Sequence, residues 1–249
     1  MPLKLGWQAF QHPLQSAGHT EAVLCAHFSP DGKHLATGSG DSSVQFWDLR
    51  TQLRQRQGRA HATWVMSVAW SPDAALLASG DKAGVVHLWS ATATAAAADA
   101  EKPCATLKGH GKWVTALAWR PAHLGVPARR LVSAGKDGTA RVWCAASKRQ
   151  LLCLGGHTAT VNAVVWSGDD VIITGSNDRE IRVWNAEDGR TVRVLRGHAH
   201  WVNALALSCA HALRTGAFDH TGARPATDAD AQAVRISGCP ALRAIGSGI

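Results

Sequence analysis

Apolar and polar positions alternate along most of this chain in short runs. "AVLCAHFSPDG", "WVMSVAWSPDA", "WVTALAWRPAH", "TVNAVVWSGDD" and "WVNALALS" carry this period of two, which predicts strands rather than helices. A second short strand follows each of the first four runs, "HLATGSGD", "LLASGDKA", "RLVSAGKD" or "VIITGSND". A third ends in tryptophan, "SVQFWD", "VVHLWS", "TARVWC" or "EIRVWN", and a more polar fourth comes after it, such as "RTVRVLRGH". Ser-Pro-Asp-Gly and Gly-Asp turns break the runs apart.

This four-strand unit repeats. A Gly-His or Ala-His pair opens each copy at Gly18-His19, Ala60-His61, Gly109-His110, Gly156-His157 and Gly197-His198, at intervals of 41 to 49 residues. A four-stranded propeller blade has a period of about 40–45. One such sheet cannot bury both faces by itself, whereas stacking sheets around an axis buries them. The expected fold is all-β, an incomplete propeller of four blades plus the start of a fifth. The expected blades are 18–59, 60–108, 109–155, 156–196 and a partial 197–222. A non-repeat segment at 1–17 precedes them and a divergent tail at 223–249 follows.

Residues held in phase inside the repeats predict a hydrogen-bonded relay. They are His19, Thr37, Asp41 and Trp47; His110, Ser133, Asp137 and Trp143; and His157, Thr174, Asp178 and Trp184. An indole N–H only donates, a hydroxyl and a neutral imidazole do both, and a carboxylate ends the line as acceptor. Such a line satisfies every buried polar group and stiffens the blade. The second repeat keeps His61, Ser79 and Trp89 but has Ala83 where the aspartate belongs, so its turn is expected to be the looser one. His198 opens the fifth relay.

Lysine and arginine outnumber aspartate and glutamate by 26 to 18, a net charge of +8. This excess favours anionic partners such as RNA and says nothing of fold. The six cysteines, from Cys25 to Cys239, form no CxxC pair and have neither metal-ligand nor disulfide-framework spacing. No apolar run approaches the roughly 18 residues of a membrane span. The sequence therefore predicts an intracellular chain with no cofactor, metal or membrane contact. No nucleophile–base pair or phosphate loop supports an enzyme.

The repeats look like WD repeats, although only Trp47-Asp48 keeps the dipeptide. "KWVTALAWRPAHLGVPARRLVSAGKDGTARVW", with its insertion "RPAHLGVPARR", "GHAHWVNALALS" and "LRTGAFDHTG" together resemble the Notchless family of large-ribosomal-subunit assembly factors. The resemblance covers roughly residues 17 to 222. It implies an open arc of an eight-bladed propeller docking on pre-ribosomal large-subunit proteins and rRNA in the nucleolus and nucleus, with some cytoplasmic presence. The family's ubiquitin-like domain, which a midasin-type AAA ATPase grasps, has no counterpart in the 18 residues before the first repeat. Midasin engagement is therefore not carried over. The tail "AVRISGCPALRAIGSGI" continues no repeat, and a truncated gene model or read-through is its expected origin.

"LRTGAFDHTG" sets Asp219 beside His220. Neighbours in sequence rarely aim at one reacting atom, and the resemblance makes this stretch a family-specific surface insertion. Trp64, Trp113 and Trp201 stand three residues past the repeat histidines, with Lys112 and His200 beside them. They read as a partner-binding surface or as packing between blades; Trp70, Trp119 and Trp166 read as core. Arg54, Arg56, Arg59, Lys148, Arg149, Arg190, Arg193 and Arg196 gather on the fourth strands. They read as phosphate contacts or as charges that deter edge pairing. Arg129 and Arg130 on the insertion are the better RNA or protein contacts. "SATATAAAADAEKP" reads as a low-complexity loop. "WDLR", Trp47 to Arg50, resembles a motif by which some propellers join cullin ubiquitin ligases. An adaptor in Notch-type signalling or in such a ligase is thus the alternative function.

Overall fold

In the first two repeats the first strand ends in a turn that its own side chains tie. Ser29 donates its hydroxyl to Asp31 and accepts the His34 amide at 2.9 Å, and Ser71, Asp73 and Leu76 repeat the arrangement. Local bonds of this kind compete with helix and favour a reversal. The computed structural model describes residues 18–91, 101–124 and 129–207. Within them the chain is all-β apart from one 3-10 turn, Ala122–Leu124. No helix among the described residues is long and apolar enough to cross a membrane.

Four antiparallel four-stranded sheets follow one another, and they do not close into a full propeller. The first holds β1 (Val23–Phe28), β2 (His34–Ser39), β3 (Ser43–Asp48) and β4 (Arg54–Arg59). The second holds β5 (Val65–Trp70), β6 (Leu76–Asp81), β7 (Val85–Ser90) and β8 (Ala105–Lys108). The third holds β9 (Val114–Trp119), β10 (Arg130–Gly135), β11 (Thr139–Cys144) and β12 (Arg149–Gly155). The fourth holds β13 (Val161–Trp166), β14 (Val171–Ser176), β15 (Ile181–Asn185) and β16 (Thr191–Leu195).

The core lies between the sheets rather than inside any one. Val44, Phe46, Val65, Trp70 and Trp89 join the first blade to the second. Leu88, Leu107, Val114, Trp119 and Trp143 join the second to the third. Val132, Leu154, Val161, Trp166 and Trp184 join the third to the fourth. One valine per repeat seats each blade on the one before it. A Cβ at Gly38 would meet Val65 at 2.5 Å, one at Gly80 would meet Val114 at 2.4 Å, and one at Gly175 would meet Val202 at 2.6 Å. Glycine leaves room for these three knobs, whereas the third blade has Ala134 at the equivalent place, packed in one cluster with Val161. Two indoles also stitch the inner strands: Trp70 donates to the His27 carbonyl at 3.1 Å and Trp119 to the Ala69 carbonyl at 2.9 Å.

The fifth run departs from expectation. Residues 201–207 form no strand, although Val202 is buried and its amide donates to the Ser176 carbonyl at 3.0 Å. A ladder needs a second strand to bond, and none among the described residues pairs with this run. The run is seated by its valine and by Asn162, whose amide donates to the Val202 carbonyl and to Asn203. "LRTGAFDHTG", residues 92–100 of the alanine-rich loop, the segment 1–17 and the tail 223–249 lie outside the described residues.

Candidate partner-binding face

Each of the four blades contains a relay. Trp47, Trp89, Trp143 and Trp184 donate their indole N–H to Thr37, Ser79, Ser133 and Thr174 at 2.9, 2.7, 2.8 and 2.8 Å. Those hydroxyls meet Nε2 of His19, His61, His110 and His157 at 2.8, 2.6, 2.8 and 2.7 Å. Nδ1 of the same rings meets Asp41, Asp81, Asp137 and Asp178 at 2.9, 3.0, 3.0 and 2.7 Å. The carboxylate can only accept, so Nδ1 carries a proton facing it, and Nε2 of the neutral ring accepts from the hydroxyl, which in turn accepts from indole. His198 is exposed, and no relay forms on it among the described residues.

The second blade corrects the sequence reading. Its carboxylate is Asp81, two residues upstream of Ala83, and it ties the turn by accepting the Ala83 and Val85 amides at 2.9 and 2.8 Å. Asp81 stands where the first blade has Ser39, at the end of the second strand rather than in the turn. The carboxylate reaches the same imidazole nitrogen from either place, so this turn is held as the others are.

The connectivity hydroxyl–imidazole–carboxylate matches that of a hydrolytic triad, but the relays are closed to substrate. Ser79, Ser133 and Thr174 have no solvent exposure, and each hydroxyl is already engaged by an indole. Burial lowers the pKa of His110 and His157 and keeps them neutral. Burial alone would raise the Asp41 carboxyl, but the Ser43 hydroxyl and amide, His19 and the Thr20 amide bring it down to about 2. Burial pushes the Cys25 thiol up to about 12, which removes it as a nucleophile. Among the described residues no group of three or more His, Cys, Asp or Glu could hold a metal.

Surface chemistry concentrates instead where the inner strands begin. Trp64 and Trp113 come together there, as their spacing past His61 and His110 suggests. The cations on them, however, are Lys82 and Lys136 rather than the adjacent Lys112. Lys82 Nζ lies 4.3 Å from the Trp64 ring centre and 4.8 Å from that of Trp113, and Lys136 Nζ lies 4.2 Å from Trp113. Backbone bonds fix both pairs: the Lys82 amide donates to the Trp64 carbonyl at 3.0 Å, and the Lys136 amide to the Trp113 carbonyl at 2.8 Å. Gly40 bonds Ala22, and Asn177 bonds Thr160, at the equivalent places, so only the second and third blades carry the aromatic–cation pair. Both lysines lie three residues past the relay serines, a position that could have been read from the repeat.

Beside this ladder Gly40, Ser42, Ala62, Thr63, Trp64, Lys82 and Trp113 line a cavity of about 470 Å³. Trp64 is 45% exposed, and the Thr63 hydroxyl has no hydrogen-bond partner. Lys112 is exposed and is not one of the cations over these rings, and Trp201 lies tilted at 5.0 Å from His200, with 55% of its surface exposed.

The basic residues separate by environment. Arg56 is buried: it stacks 3.8 Å from the Phe46 ring centre and donates to the Ser90 carbonyl of the next blade, so it clamps two blades rather than meeting phosphates. Arg129 pairs with Asp73 of the preceding blade. Arg130 opens β10, half-buried. Arg129 remains exposed while it pairs with Asp73, and Arg130 is tied into the strand pairing of its own sheet. Arg196 and Arg182 pair with Glu180, and Arg190 with Asp188.

The comparisons agree with this architecture. The family described as WD domain, G-beta repeat matches residues 11–48, 53–90, 101–144 and 148–185. The chain is 47% identical over 159 residues to the Notchless protein homolog of Arabidopsis thaliana, covering 64% of this chain and 32% of that protein. It is 44% identical over 159 residues to Protein Notchless of Drosophila melanogaster, covering 64% and 31%. It is 41% identical over 220 residues to Ribosome assembly protein 4 of Saccharomyces cerevisiae, covering 87% and 42%. The chain thus spans less than half the length of each of these relatives. Four in-register sheets, four relays and four matched repeats place it in the WD-repeat family.

Proposed function

We propose that this chain acts without covalent chemistry, as a Notchless-like docking module in assembly of the large ribosomal subunit. The observation that carries the reading is 41% identity across 87% of the chain to a protein named for ribosome assembly. The sealed relays support a non-enzymatic role, since their hydroxyls are buried and occupied. A net charge of +8 suits an RNA-rich particle. Its partners on this reading are pre-ribosomal large-subunit proteins and rRNA, met in the nucleolus and nucleus.

The test is sedimentation of the tagged chain through a density gradient of lysate from its own source. Co-migration with large-subunit precursors, weakening as salt rises, is the expected result. A chain that stays at the top of the gradient at low salt, yet is captured by a cullin adaptor in an Arg50-dependent way, overturns the proposal.

A further inference from the structure

Two ammonium groups share one indole on this surface. Lys82 and Lys136 both lie over Trp113, and Lys82 also lies over Trp64. Each ring contact is worth only about 0.5–1 kcal/mol at an exposed site. No ion pair is found for Lys82, Lys112 or Lys136 among the described residues. The carboxylates of Asp41, Asp81 and Asp137 are turned toward relay histidines and turn amides rather than toward the lysines. The two ammoniums thus gather on one indole without an ion-pair partner, on backbone that bonds to Trp64 and Trp113 hold in place. A preorganised cationic row of this kind gains most from a ligand that brings closely spaced anionic groups.

We infer that the Trp64–Lys82–Trp113–Lys136 ladder binds an acidic peptide segment of a partner protein. Its carboxylates would meet the two ammoniums, and an apolar side chain would enter the adjoining cavity of about 470 Å³ against Trp64 and Ala62. Single-stranded RNA fits the ladder less well. Strand-tracking sites stack successive bases on open aromatic faces, and Trp113 already carries two ammoniums. Exposed tryptophan beside a cavity is instead the usual anchor of protein interfaces.

This inference names a partner chemistry for the docking reading, and it is tested apart from any ribosomal particle. Fluorescence anisotropy compares three labelled probes with the purified chain: a short peptide of alternating glutamate and leucine, the same peptide with glutamine for glutamate, and oligouridylate. The acidic peptide is expected to bind, and the double variant Lys82→Gln, Lys136→Gln to lose about tenfold or more in affinity. The melting temperature of that variant should fall only slightly, since the lysines make ring contacts but no ion pair. Unchanged affinity in the double variant overturns the inference, as does no binding of the acidic peptide. Oligouridylate binding as tightly as the acidic peptide also overturns it. Failure to sediment with ribosomal precursors bears only on the proposed function.

Discussion

The first and second blades open with the same motif but meet different surroundings. Val23, Phe28 and Trp47 occupy the positions of Val65, Trp70 and Trp89. Val65 and Trp89 are fully buried and Trp70 nearly so, whereas Val23 is 55% exposed, Phe28 is 62% exposed and Trp47 is half-buried. The second blade rests on the first, while no preceding sheet among the described residues covers the first. Both relays form regardless. A blade thus makes its own hydrogen bonds but borrows its burial from a neighbour, as expected when stability sums over adjacent interfaces.

The sharpest way to break this comparison is to put a charge at equivalent valines. Val114→Asp buries a carboxylate against Gly80 with no partner and should cost several kcal/mol, enough to unfold the chain. Val23→Asp should stay within about 0.5 kcal/mol, because that side chain already meets water. Urea midpoints decide between equal and unequal costs. Tryptophan truncation comes next. Trp89→Ala should cost about 3–5 kcal/mol through cavity and lost transfer energy, and Trp47→Ala measurably less, read by the same unfolding curves.

A smaller difference separates relay histidines. His110→Ala leaves the Ser133 hydroxyl and the Asp137 carboxylate without their shared partner and should cost about 1–3 kcal/mol. His198→Ala, at an exposed site with no relay among the described residues, should change the melting temperature little.

The finest difference is in acid. Burial first, then the charge of His61, pushes His87 down to about 4 from an ordinary 6.5. Asp81 pulls the other way, Thr106 bonds its Nδ1 at 3.0 Å, and Trp89 packs edge-on. Folding keeps this ring neutral, so its contribution is complete above pH 6.5. The contribution falls as pH drops from 6.5 toward 4, where the unfolded chain takes up a proton that the fold refuses. His87→Gln, which copies Gln45 of the first blade, should flatten the loss of melting temperature over that window.

Periodicity alone made the strands and relays legible, because indole, hydroxyl, imidazole and carboxylate recur at near-constant spacing. What it missed depends on where separate segments meet. Asp81 replaces an aspartate expected later in the turn because either position reaches the His61 nitrogen. Lys82 and Lys136, rather than Lys112, cover the indoles because the second strand ends beside the first strand's start. Arg56 looked like a surface charge, yet the next blade covers it. The run 201–207 has the pattern of a strand but no described ladder partner.

Amide hydrogen exchange of the intact chain, resolved by peptide, tests the borrowed-burial account most directly. Amides of β6 and β10, in blades covered on both sides, should exchange slowest, and those of β1 and β16 much faster. Uniform protection across all four sheets, or the slowest exchange in β1, would contradict it.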